Sequence, residues 1–77
     1  MKFELYTATD KRDNTQAYWL LDSENDRVAQ YHIKTSPSRI KRNSLSPENL
    51  VWGYNGEWSE HADKSTAKLI DSWEWAE

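Results

Sequence analysis

Gln16-Ala17-Tyr18-Trp19-Leu20-Leu21-Asp22, then Ser23-Glu24-Asn25-Asp26, then Arg27-Val28-Ala29-Gln30-Tyr31-His32-Ile33-Lys34 read as two strands with a turn between them. Both flanks are rich in aromatic and aliphatic side chains, and the four residues between them are types that hydrogen-bond their own backbone in turns. If Asp22 pairs with Arg27, Leu20 faces Ala29, Tyr18 faces Tyr31 and Gln16 faces Ile33, which makes one face of the ribbon almost wholly apolar. The other face carries Ala17, Trp19, Leu21, Val28, Gln30 and His32. That set is too apolar to be left in water, so it predicts partial cover by another element or by a partner, a second copy of the chain in a homodimer included.

Working outward, residues 2–8 alternate, with Phe3, Leu5 and Thr7 on one side and Glu4 and Tyr6 on the other, and predict a further strand. Residues 9–15 are wholly polar and form a connecting loop. Residues 35–49 hold both prolines and the serines Ser36, Ser38, Ser44 and Ser46. Ser36-Pro37 and Ser46-Pro47-Glu48 fit a serine N-cap followed by proline in the first helical turn, so one or two short helices are expected there. Residues 50–61 read as a second hairpin around Asn55-Gly56, because that pair supplies the positive φ angles of a type I′ turn. In that register Gly53 faces Trp58, while Trp52 and Tyr54 share the opposite face. The competing reading is a helix from Pro47 to Trp52 followed by an irregular loop. At the end, Thr66, Leu69, Ile70, Trp73 and Ala76 recur at helical spacing after a capping Asp63, predicting a helix over about 63–76. Trp75 lies off that stripe. The expected fold is α+β: one domain over 1–77, with an antiparallel sheet from strands near 2–8, 16–22 and 27–34 and the hairpin 50–61, packed by a C-terminal helix.

A chain of 77 residues is close to the lower limit for a single core without staples, and it contains no cysteine, which removes disulfides, thiolate zinc sites and thiol catalysis together. Aromatic residues make up 13% of the chain, and these few large rings must do much of the burying. A net charge of −3 opposes general affinity for nucleic acid or for an anionic membrane. No apolar run has membrane-spanning length, and the alternating start offers no signal-peptide core, so a cytoplasmic protein is expected.

The two glycines, Gly53 and Gly56, cannot build a P-loop, a dinucleotide fingerprint or a nucleophile elbow. His32 and His61 stand at no metal-ligand spacing, so no catalytic residue, metal or cofactor is expected. What remains is surface. Glu57, Glu60, Asp63, Asp71, Glu74 and Glu77 face only Lys64 and Lys68 in the last third, which suits a partner with a basic surface. Lys34, Arg39, Lys41 and Arg42 form a basic loop with no intervening acid, the candidate for nucleic acid binding. Tryptophan is enriched at binding hot spots, and Trp75 and Trp19 are the candidate anchors. The sequence therefore points to a non-enzymatic protein-binding module, an inhibitor or adaptor using Trp75, Asp71, Glu74, Glu77, Glu60 and Trp19. Small motif-poor chains of this kind are common among phage and mobile-element products that block host machines, nucleic-acid-guided defence included. The alternative is a nucleic-acid-binding module acting through residues 34–42.

Overall fold

The computed structural model describes residues 1–54 and 56–75. Among them the chain forms β1 (Lys2–Asp10), β2 (Thr15–Asp22), β3 (Arg27–His32), α1 (Pro37–Asn43), a 3-10 turn (Pro47–Asn49), β4 (Gly53–Tyr54), α2 (Gly56–His61) and β5 (Lys68–Glu74). The strands make an antiparallel sheet in the order β4-β3-β2-β1-β5.

The central hairpin adopts the expected register: Asp22 opposite Arg27, Leu20 opposite Ala29, Tyr18 opposite Tyr31. The ladder stops one pair early. Lys34 donates its backbone N–H to His32 Nδ1 at 3.1 Å and Thr35 donates to the His32 carbonyl at 2.9 Å, so Ile33 and Lys34 turn away, and Gln16 pairs with Thr9 on β1 instead. Both four-residue loops end on a residue in the left-handed region, Asn14 at φ 60° and Asp26 at φ 57°, the residue types that tolerate it best after glycine. A buried carboxylate anchors each loop. Asp22 accepts from Asn25 Nδ2 at 2.8 Å and Arg27 Nε at 3.0 Å, and Asp10 accepts from Arg12 Nη2 and Gln30 Nε2, both at 2.8 Å.

Both faces of the sheet are covered. On one, Phe3, Leu5, Leu20 and Ala29 bury Ile40 of α1, with Leu50, Trp52, Trp73 and Trp75 around them. Ser36 caps α1 by accepting from the Arg39 N–H at 3.3 Å, with Pro37 in the first turn, as the Ser-Pro pair predicts; Ser46 opens only the 3-10 turn and makes no side-chain cap. On the other face Ala8, Ala17, Trp19 and Val28 pack under Trp58 and Ala62, on and just after α2. This supplies the cover that the apolar second face of the hairpin requires.

Two expectations are corrected. Residues 50–61 are not a hairpin: β4 is a two-residue strand, and the chain then turns into α2, while Asn55 lies outside the described residues. Trp58 and Ala62 stand four apart, an interval one helix face accommodates, and both enter the same cluster under α2. The predicted Gly53–Trp58 pairing is replaced by Gly53 opposite Val28. Nor do the described residues of 63–75 form the expected C-terminal helix, whose last member, Ala76, lies outside the described residues. Residues 68–74 are β5, paired along β1 with Trp73 opposite Phe3 and Leu69 opposite Tyr6. The register shifts between those positions, placing Ile70 as the extra residue of a bulge. Leu69 and Trp73 are four apart, a helical interval, yet the bulge sets them opposite Tyr6 and Phe3, which belong to different faces of the sheet. Trp73 and Trp75, two apart, both pack on the first face, which a strand permits and a helix does not. Leu69 and Ile70 are 53% and 44% exposed rather than core.

Candidate partner-binding surface

Among the described residues β5 closes one edge of the sheet, with β1 on its inner side and no strand on its outer side. Trp75 and Met1 exchange both backbone bonds, the Trp75 N–H to the Met1 carbonyl at 2.8 Å and the Met1 ammonium to the Trp75 carbonyl at 3.0 Å. In an antiparallel ladder such pairs alternate with open ones, so Trp73 and Asp71 also turn their backbone to β1 while Glu74 and Ser72 turn theirs outward. The outward Ser72 N–H is not free: Asp71 Oδ1 accepts it at 2.8 Å. Asp71 Oδ2 lies 3.5 Å from Lys41 Nζ, which also stands 5.3 Å over the Trp73 ring. Trp73 Nε1 donates to Ser44 Oγ at 2.9 Å and Trp75 Nε1 to the Leu45 carbonyl at 3.0 Å, so α1 and the turn after it are tied to β5 by two indole bonds.

The residues singled out from sequence do not form one surface. Asp71, Glu74 and Trp75 lie on or beside β5. Glu60 sits on α2 and accepts from the Tyr54 hydroxyl at 2.7 Å, which raises the Tyr54 pKa; Tyr54 belongs to β4 at the opposite sheet edge, with three strands between it and β5. Trp19 is 0% exposed, with its Nε1 bonded to the Ala8 carbonyl at 3.1 Å, so it fills the core and offers no anchor. Glu77 lies outside the described residues. Of the basic loop, Lys41 is committed to Asp71 and Trp73, whereas Lys34, Arg39 and Arg42 are exposed.

His61 Nε2 is 3.9 Å from Glu60, and His32 accepts a backbone N–H within its own turn, so the two histidines serve separate local contacts. Among the described residues no three His, Asp or Glu side chains gather to hold a metal ion, and no helix is long and apolar enough to cross a membrane. Sequence reasoning missed Leu69 and Ile70 as surface residues. The signal was the Trp73/Trp75 spacing, which already required a strand there. No protein family matches the chain, and neither a curated protein nor a solved structure matches it.

Proposed function

We propose that the protein is a small binding module that covers a basic surface of a partner protein with its β5 edge. One observation carries this reading: a seven-residue edge strand leaves Leu69 and Ile70 uncovered beside the acids Asp71 and Glu74. In such a docking patch the apolar atoms contribute area and the carboxylates select a cationic partner, with Glu74 exposed, Asp71 shared with Lys41, and Lys68 the one cation on the strand. A machine that binds nucleic acid presents such a surface, and covering it would inhibit that machine. Trp73 and Trp75, pinned by their indole bonds, fix the C-terminal half of the strand beside the patch and lower the entropy lost on docking.

The test is affinity capture from the native host with the wild-type protein and with Leu69→Asp/Ile70→Asp, both exposed positions whose change spares the core. A captured protein that the double variant loses, and that rising salt releases, supports the reading. An identical capture profile for the two proteins overturns it.

A further inference from the structure

The opposite edge of the sheet is built differently. Among the described residues β4 pairs with Arg27 and Val28 alone, and the rest of β3, from Ala29 to His32, has no strand on its outer side. The ladder fixes which backbone groups face out. Odd residues of β1 turn toward β5, as the Thr9 and Lys11 bonds to Asp63, Thr66 and His61 also show. Even residues of β1 therefore pair with β2, and by the same alternation Ala29 and Tyr31 turn to β2 while Gln30 and His32 face outward. The His32 carbonyl is taken by Thr35. The Gln30 N–H and C=O and the His32 N–H are left along an open edge.

A groove runs beside this edge. A cavity of about 320 Å³ is lined by Gln30, Tyr31, Asn43, Asn49, Leu50 and Val51 among others. It shares Asn43, Asn49 and Leu50 with a second of about 370 Å³ that reaches Arg42. Val51 is 91% exposed at its rim, a β-branched residue with nothing over it. At about 100° per residue, Arg39 and Asn43 share one flank of α1, opposite the Lys41 flank that meets β5. Asn43 lines the first cavity together with Tyr31, so the Arg39 flank is the one turned to β3. Arg42 lines the second cavity and Arg39 and Lys34 are exposed on the same stretch of chain, a positive set against Glu48 and against Asp13, which lines a separate cavity with Gln30, Tyr31 and His32.

We propose that this edge and groove dock an extended acidic segment of a partner protein. The segment adds as a strand outside β3, exchanges backbone bonds with Gln30 and His32, lays an apolar side chain over Val51 and Leu50, and sets carboxylates against Arg39 and Arg42. Unpaired ladder groups and an amide-lined groove fit a peptide backbone, whereas a phosphate chain would use the three cations and leave the edge amides idle. This site is separate from β5 and stands whether or not the β5 reading holds.

The test is an NMR titration of the full chain with a hexapeptide of alternating glutamate and valine, beside its lysine–valine counterpart and a single-stranded DNA oligonucleotide. The expected result is amide shifts centred on Gln30, His32, Asn43 and Val51 with the acidic peptide alone. The shifts weaken about tenfold in Arg39→Glu/Arg42→Glu, whose substituted positions are both exposed. Well-dispersed spectra of the double variant check that it folds. Absence of those shifts at about millimolar peptide, equal response in the variant, shifts confined to β5, or tighter binding of the oligonucleotide at the same amides would each overturn the proposal.

Discussion

The two faces of this sheet are buried by different means. On the first, three elements distant in sequence converge: Phe3 lies 6.2 Å from Trp52 and nearly parallel to it, and 6.0 Å from Trp73, with Ile40 of α1 beside them. On the second, a helix of six residues delivers one ring, Trp58, to Trp19 at 5.6 Å and to Tyr6 at 4.9 Å. Each covering indole is topped by a cation, Arg27 at 4.2 Å from Trp52 and Lys64 at 4.2 Å from Trp58. A cover made of several pieces tolerates the loss of one. A cover that hangs on a single ring does not. Trp58→Ala is therefore expected to cost about 3 kcal/mol, near the low end for a large aromatic because the ring is only half-buried. Trp52→Ala, with Trp73 still on Phe3, should cost about half as much. Urea unfolding of the two variants measures the difference, and equal losses would remove the distinction between the faces. Hydrogen exchange sharpens it, because Trp58→Ala should expose α2 amides selectively while Trp52→Ala leaves them protected.

A second contrast concerns the buried carboxylates, one on each face at opposite ends of the central strands. The first-ranked influence on Asp10 is its hydrogen bonding to the Arg12 guanidinium, aided by Gln30, and this holds its carboxyl well below the usual range despite the opposing effect of burial. A carboxylate whose folded pKa is depressed contributes stability that is full above the unfolded value of about 3.9 and is lost as pH falls from there toward the folded pKa. Asp10→Asn should cost about 1–2 kcal/mol at neutral pH, the partly exposed arginine limiting the effect. The variant should also show a shallower decline of stability between about pH 4 and pH 2, in urea melts recorded across that range. A variant that keeps the wild-type slope would place the acid sensitivity elsewhere.

How far the sequence carried follows from these same elements. The register of the central hairpin was readable, though not the point where its ladder ends, because its period-two pattern and its turn types point to one register. The site was readable only in part: Asp71, Glu74 and Trp75 were named, but as part of a helix, because Leu69, Ile70 and Trp73 stand at helical intervals and the bulge that distributes them over a strand leaves no local mark. Gly53 to His61 misled for the opposite reason. Asn55-Gly56 is a strong local turn signal, but the unburied second face, whose need for cover was itself legible, recruits Trp58 and Ala62 from one helix side, and tertiary burial overrides local preference. The open edge of β3 depends on β4 ending after two residues, a length no local pattern records.

The smallest expected effect concerns the loops that those carboxylates anchor. Asn14 and Asp26 occupy the same position in two four-residue loops and share a left-handed backbone, so a glycine at either site relieves the steric cost of a Cβ there. The relief is partly offset by the greater freedom of glycine in the unfolded chain. Asn14→Gly and Asp26→Gly should each raise stability by about 0.5 kcal/mol, read as small upward shifts in the urea midpoint. The two gains should add, because the loops lie at opposite ends of β2 and share no partner. A clear departure from additivity would mean that the faces communicate along β2, whose side chains alternate between Leu20 on one and Trp19 on the other, and the two faces would then have to be treated as one cooperative core.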